Sequence, residues 1–320
     1  MSPSQRVPGK PNLLSAEGLR TYPLRGRRSK IVTAAFAKPV PAGASFDVFL
    51  ASLPDVLASR DFREFLGLVK RARRDGNPVL FGCGAHVIKT GLQPVLIDLM
   101  ERGFVQGLAL NGAGIVHDFE IAFAGRTSEE VGERIRDGRF GAARETGEYL
   151  NRAIRDGVAE GLGLGAAVGR MIAGSRFPHR GLSLLAAGHR LGIPVTVHVA
   201  VGTDTIHFHP GADGAATGEA SLRDFFTFAS LVGRLEGGVY VNVGSAVVLP
   251  EVFLKAVAFV RNKGIRLERM TTAVFDFNRH YRPEENVVRR PLGKKGRGFY
   301  FVGPHEIMIP LLAVGLKSGR

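Results

Sequence analysis

Four short stretches of the chain concentrate residue types that can do chemistry. In Asn111–Glu120, "NGAGIVHDFE", two glycines precede a histidine and two carboxylates. A glycine turn lets backbone amides approach a phosphate closely, and a histidine beside a carboxylate suits acid/base work or metal binding. The stretch also reads more simply, as a tight turn followed by a helix in whose first turn Asp118 favours the positive end. In "GCGAHVIKTG" (82–91), Gly82 and Gly84 allow a sharp entry into a helix whose first amides can hold an anion. In "HVAVGTDTIHFHP" (198–210), His207 and His209 are expected to alternate on one strand face with Asp204 and His198 nearby. Together with His117 they form a possible transition-metal or acid/base set. The fourth pair of segments is "NVGSAV" (242–247), a glycine-serine turn, and "MTTAVFDF" (270–277), whose Asp276 suits a ribose diol. Lys294 and Lys295 lie among Arg289, Arg290 and Arg297. That positive field would depress a lysine pKa, and so make the amine nucleophilic, if these residues are close in space; the simpler reading is a solvated basic loop.

These residues fall at the ends of a repeated pattern. Apolar runs at 77–84, 103–114, 192–204, 237–247, 264–276 and 298–306 each begin near Gly or Pro and end in small or polar residues. Helical segments lie between them. Phe62, Phe65, Leu66 and Val69 share a helical face over 60–75, Thr127 and Glu130 read as a capping box, and Pro250 and Gly264 bracket a further helix. Strands alternating with helices predict an α/β fold: a doubly wound, mostly parallel Rossmann-like sheet with helices on both faces. Ligands of such sheets bind beyond the C-terminal strand ends, where the four stretches sit. The Gly- and Ala-rich segment 141–190 is expected to form closely packed helices, since no Gly-Lys-Ser/Thr follows to make a P-loop.

The chain has 320 residues and 45% hydrophobic content, enough for one large core. Residues 1–45 are rich in Pro, Gly and Arg without periodicity, and predict a basic arm ahead of one α/β domain over 46–320. No run approaches the roughly 18 apolar residues of a membrane span, and the N-terminus has no apolar signal core, so a cytoplasmic protein without a membrane partner is expected. The single cysteine, Cys83, excludes an intrachain disulfide and a cysteine-built zinc site. The net charge of +14 lies mostly in residues 1–30 and 279–300. Neither segment interleaves aromatic residues for base stacking, which argues against a nucleic-acid partner and leaves anionic ligands or solubility.

The order of the motifs resembles that of the deoxyhypusine synthase family from about residue 75 to residue 315. "LFGCGAHVIKTG", "NGAGIVHD", "TDTIHFHP", "VGSAVV", "TTAVFD", "RPEENV" and "IPLLA" follow the family's segments in sequence. The resemblance implies a homotetramer with NAD at subunit interfaces. It also implies transfer of an aminobutyl group from a polyamine through an imine on an active-site lysine. Carried across, the nucleotide contacts are Gly84, Ala85, His86, Asn111, Gly112, Gly114, Gly244, Ser245, Thr272, Ala273 and Asp276, and Asp204 and Glu285 match acidic residues that hold ammonium groups. Ala85-His86 stand where the family has Ser-Asn, and Val116-His117 where it has paired glutamates. His117 thereby becomes a candidate catalytic residue, and His209 a candidate substrate contact. A three-residue insertion aligns "LGKK" with the family's Trp-Gly-Lys-Ile segment and nominates Lys294 as the catalytic lysine. The expected function is NAD-dependent transfer on a polyamine or related small amine. The alternatives are a silent NAD-binding paralogue and a metal enzyme built on His117, His198, His207 and His209.

Overall fold

In the computed structural model, which describes residues 14–319, six parallel strands form one sheet in the order β3-β2-β1-β4-β5-β6. They are β1 (Val79–Cys83), β2 (Gly107–Asn111), β3 (Val195–His198), β4 (Val239–Val243), β5 (Thr271–Asp276) and β6 (Arg297–Val302), each within or one residue beyond an expected run. The strands are short and mostly apolar, and almost every residue of the inner ones is buried. Side chains alternate between two cores: Phe81, Val241 and Phe275 face one side, and Leu80, Tyr240 and Val274 face the other. A sheet covered on both faces needs such continuous apolar runs.

Helices α1 (Phe46–Ser52) and α2 (Leu57–Arg74) precede the sheet, and α3 (Ala85–Lys89) and α4 (Gln93–Glu101) join β1 to β2. Between β2 and β3 lie α5 (Gly112–Ala124), α6 (Val131–Arg134), α7 (Arg144–Ala159), α8 (Leu164–Gly174) and α9 (Leu184–Leu191). The remaining crossovers are α10 (Gly214–Val232), α11 (Val248–Asn262) and α12 (Tyr281–Pro283), which continues as a π-helical turn, Glu284–Arg289; α13 (His305–Lys317) closes the chain. The aromatic face of α2 packs with α13 in one core, and α10, α11 and the π turn supply the other. Residues 14–45 contain two short 3₁₀ turns and no buried residue, while the first 13 residues of the expected basic arm lie outside the described residues. Among the described residues no helix is long and apolar enough to cross a membrane.

Several local expectations are corrected. The strand expected at His207 and His209 is a 3₁₀ turn, Thr205–Phe208, because β3 ends at His198 and the chain leaves the sheet. The Thr127–Glu130 capping box does not form: α6 starts one residue after Glu130, and Thr127 bonds elsewhere. Helix α5 starts at Gly112, so His117 and Asp118 sit in its second turn. Asp118 instead caps α9, accepting from Ser183 Oγ at 2.5 Å and Leu184 N at 2.8 Å. Burial pushes its pKa up to about 6, against those bonds.

Residues 141–190 form packed helices as expected. A Cβ on Gly165 would collide with the Val195 carbonyl, so α8 lies directly on β3. Asp224 of α10 locks this contact by accepting from Gly165 N at 2.8 Å and Val197 N at 2.7 Å, and burial pushes its pKa up to about 7. Replacing Asp224 by Ala leaves two buried amides unpaired, a cost of about 3 kcal/mol from the usual penalty per group. Urea unfolding of Asp224→Ala at neutral pH measures this, and a loss below about 1 kcal/mol would show that the lock contributes little.

Candidate active site at the C-terminal sheet edge

The strand order reverses between β1 and β4, and there two glycine turns meet. Gly84 N donates to Val243 O at 2.8 Å and Gly244 N to Phe275 O at 3.0 Å. A Cβ on Gly84 would collide with the Gly244 carbonyl, and Gly244 itself has φ +61°. Ser245 follows, two residues before the N-cap of α11, its Oγ accepting from Leu249 N at 3.2 Å. Asp276 ends β5 beside this turn. Its Oδ2 is buried with no hydrogen-bond partner among the described residues, as are both ring nitrogens of His305 at the start of α13. His280 Nε2 and His305 Nε2 lie 3.9 Å and 4.0 Å from Asp276 Oδ1. Burial holds His305 below the usual histidine range, against the pull of Asp276. His86, exposed on α3, stands 5.4 Å from the His305 ring.

A second cluster lies across the β2 end. Asn111 caps α5 by accepting from Gly114 N at 3.1 Å, and Gly112 leaves room for the Asp204 carboxylate, with which any Cβ there would collide. Asp204 is buried, its pKa is raised by that burial, and its Oδ2 lacks a hydrogen-bond partner. His207 Nε2 lies 3.9 Å away, also unpartnered. A cavity of about 200 Å³ opens beside them, lined by Lys89, His117, Glu120, Glu129 and Asp204 among others. It adjoins a larger one of about 650 Å³ that shares Glu120 and Glu129 and adds Glu130, Glu133 and Glu145. On a chain of net charge +14, this concentration of carboxylates is a local reversal of sign that favours a cation. His117 is neutral here: burial, helped by Lys89, lowers its pKa to about 4.

Thus Gly84, Ala85, His86, Gly244, Ser245 and Asp276 converge on one cluster, and Asn111, Gly112, Gly114, His117 and Asp204 on the other. The five-residue α3 spans them. Thr272 and Ala273 do not reach the edge; they are buried in the first half of β5, where Thr272 Oγ1 donates to Val287 O at 2.7 Å. Glu285 lies on the π turn and pairs with Arg289 at 3.0 Å and Arg290 at 3.5 Å. His209 Nε2 bonds Gly141 O at 2.9 Å, outside both clusters. Lys294 is exposed in the turn that enters β6, at the N-terminal edge and so at the opposite end of the sheet. The four histidines of the metal reading are not brought together. His198 Nε2 bonds Thr196 Oγ1 at 3.0 Å, His117 bonds Thr127, and among the described residues no three metal-ligating groups converge.

Sequence reasoning missed Lys89, Glu120, Thr127, His280 and His305. Glu120 was legible as the i+3 neighbour of His117 on a helix, and Lys89 as the i+3 neighbour of His86. His305 lay hidden in a run read as a strand end.

The residues at the switch point fit a dinucleotide: a glycine pair without side chains, a hydroxyl at a helix start, and a buried unpartnered carboxylate able to accept from a diol. The fold and the glycine-lined switch point place the chain in the doubly wound, Rossmann-like class. No protein-family model matches the sequence, and no curated protein matches it. Solved structures share the fold at low identity. A candidate LOR/SDH protein from Methanococcus maripaludis has a TM-score of 0.50 at 14% identity, with 82% of this chain and 69% of that one covered. AgrE, in a ternary complex with ornithine and NAD+, gives 0.53 at 18%, covering 83% of this chain and 34% of its own. A candidate deoxyhypusine synthase from Entamoeba histolytica gives 0.50 at 10%, covering 85% and 93%. The chain therefore spans about a third of AgrE.

His198, buried at the end of β3, is held neutral by burial, with its pKa lowered from 6.5 to about 4. The unfolded chain protonates first, so this residue's contribution is lost as pH falls from about 6.5 toward 4. Between pH 7 and pH 5 the loss is about 2 kcal/mol. In urea unfolding at the two pH values, His198→Gln is expected to lose about that much less than the native protein; an unchanged loss would show that His198 titrates normally.

Proposed function

We propose that the chain binds a nicotinamide dinucleotide across the β1–β4 switch point and acts on an amine held in the adjoining carboxylate-lined cavity. The observation that carries this is the adjacency of two features: the Gly84–Gly244 cradle with unpartnered Asp276, and the cavity with unpartnered Asp204. Bound there, a nicotinamide supplies a hydride acceptor for a carbon bearing the amine. Asp276 accepts from a ribose hydroxyl, and the turns at Gly84–His86, Asn111–Gly114 and Gly244–Ser245 line the nucleotide. Thr272 and Ala273 fix the strand beneath Asp276. Asp204 and Glu129 face the ligand's ammonium, where a neutral His117 does not repel it. The fold neighbour AgrE, seen with ornithine and NAD+, supports the same pairing of ligand classes.

The finer reading is aminoalkyl transfer of the deoxyhypusine synthase type, from a polyamine or shorter amine, through an imine on lysine in a homotetramer. Within one chain the lysine at the cavity is Lys89, whereas Lys294 would serve the cavity of a neighbouring copy. The remoteness of Lys294 from both clusters favours a second reading, a paralogue that binds the nucleotide without transfer.

NADH fluorescence titration tests the nucleotide site. Asp276→Asn, with its fold checked by circular dichroism, is expected to weaken binding about tenfold or more, the value of one hydrogen bond to a charged group. No binding by the native protein would sink the proposal. Incubation with NAD and spermidine, putrescine or ornithine should produce absorbance of bound NADH. Borohydride trapping then maps any lysine adduct by mass spectrometry. An adduct on Lys89 or Lys294 supports transfer, and NADH formation without an adduct excludes it.

A further inference from the structure

His117 is not a free imidazole in the cavity wall. On α5 it stands one turn before Glu120, and the loop after α5 brings Thr127 between them. His117 Nδ1 lies 2.6 Å from Thr127 Oγ1, and that hydroxyl donates to Glu120 Oε2 at 2.5 Å. Thr146 Oγ1 donates to the other Glu120 oxygen at 3.2 Å, and the Ser128 amide also donates to this carboxylate. Glu120 and His117 themselves are 3.9 Å apart, so the contact between them runs through the threonine.

The direction of the protons follows. A hydroxyl has one hydrogen, and Thr127's is committed to the carboxylate. Its oxygen can then only accept from His117, which fixes the hydrogen of the ring on Nδ1 and leaves Nε2 bare. Nε2 makes no hydrogen bond with any described residue, and His117 lines the 200 Å³ cavity. The backbone contributes to the arrangement. Ser128, next to Thr127, has φ +70°, one of two non-glycine residues with positive φ among those described. Such a conformation costs on the order of 1 kcal/mol and persists only where the surroundings impose it.

We propose that Glu120 and Thr127 are positioning residues that set the tautomer of His117, so that its Nε2 lone pair is presented to the cavity as the acceptor for an N–H of a cationic ligand. The ligand half of this statement rests on the amine reading above; the tautomer half does not. The arrangement explains why a histidine can stand in a cation-selecting cavity. Its outward nitrogen offers electrons, and Asp204 and Glu129, which line the same cavity, supply the charge. No proton is transferred in the resting complex. The ligand keeps its N–H, which is shared with Nε2.

The test uses the full chain and nitrogen-15 NMR of the histidine rings, with His117 assigned by its loss in His117→Gln. The native protein is expected to show Nδ1 protonated and Nε2 bare at pH 7. Thr127→Val should move the ring toward the opposite tautomer or a mixture, and Thr127→Ser should restore the native signal. A native ring with hydrogen on Nε2, or a Thr127→Val ring that keeps the native pattern, overturns the relay. Titration with putrescine or ornithine, in the presence of NAD, should shift the Nε2 signal of the native protein. Thr127→Val should weaken that binding about tenfold, and Thr127→Ser should restore it. A correct tautomer with no Nε2 response to either amine overturns the acceptor role while leaving the relay intact; NADH formation with the same amines, as above, reports separately on the amine reading.

Discussion

Two βα turns meet at the point where the strand order reverses, and they come this close because Gly84 carries no side chain. Gly84 sits against the Gly244 carbonyl, and each turn is tied by its amide to the next strand. Much of the edge depends on this approach. It brings the β1 and β4 ends close enough to share one opening and sets His305 directly over Gly244. It also leaves Asp276 at the margin of that opening with an oxygen that no described residue satisfies. Buried unpaired polar atoms are rare in folded proteins because each costs on the order of 1–3 kcal/mol, and here Asp276 and His305 bring three of them to this opening.

The sheet was largely legible in the sequence because its signal is local. Each strand is an apolar run bounded by Gly or Pro, and the doubly covered sheet makes those runs continuous. The glycine turns after β1, β2 and β4 were legible for the same reason. Features governed by partners distant in sequence were not. Asp118 looked like the anion of its own helix, but it caps α9 some 66 residues away in sequence. Thr127 matched a capping box by spacing, yet its hydroxyl goes back to Glu120. His207 and His209 alternate as a strand would, but no strand among the described residues pairs with them, and the segment coils into a 3₁₀ turn. Lys294 was nominated by its arginine-rich surroundings in sequence and by alignment, neither of which says which edge of the sheet a turn occupies.

Charge on this protein is arranged against its own average. The excess of Lys and Arg lies at the N-terminal arm and around the π turn, where Glu284 and Glu285 are held by Arg279, Arg289 and Arg290. Carboxylates free of arginine partners collect instead at the cavity, where Asp204 and Glu120 are half or more buried and pushed toward higher pKa. A cation entering this space relieves that burial penalty, whereas an anion would add to it.

Helix α3 is only five residues long, and its two exposed side chains point to different neighbourhoods: His86 toward His305 and Phe277, and Lys89 into the cavity with His117. One turn of helix is too short to bend within itself. Val87 and Ile88, fully buried beneath, hold it in place. The two compartments of the edge thus share one short wall, and a substitution that displaced this helix would be felt in both at once.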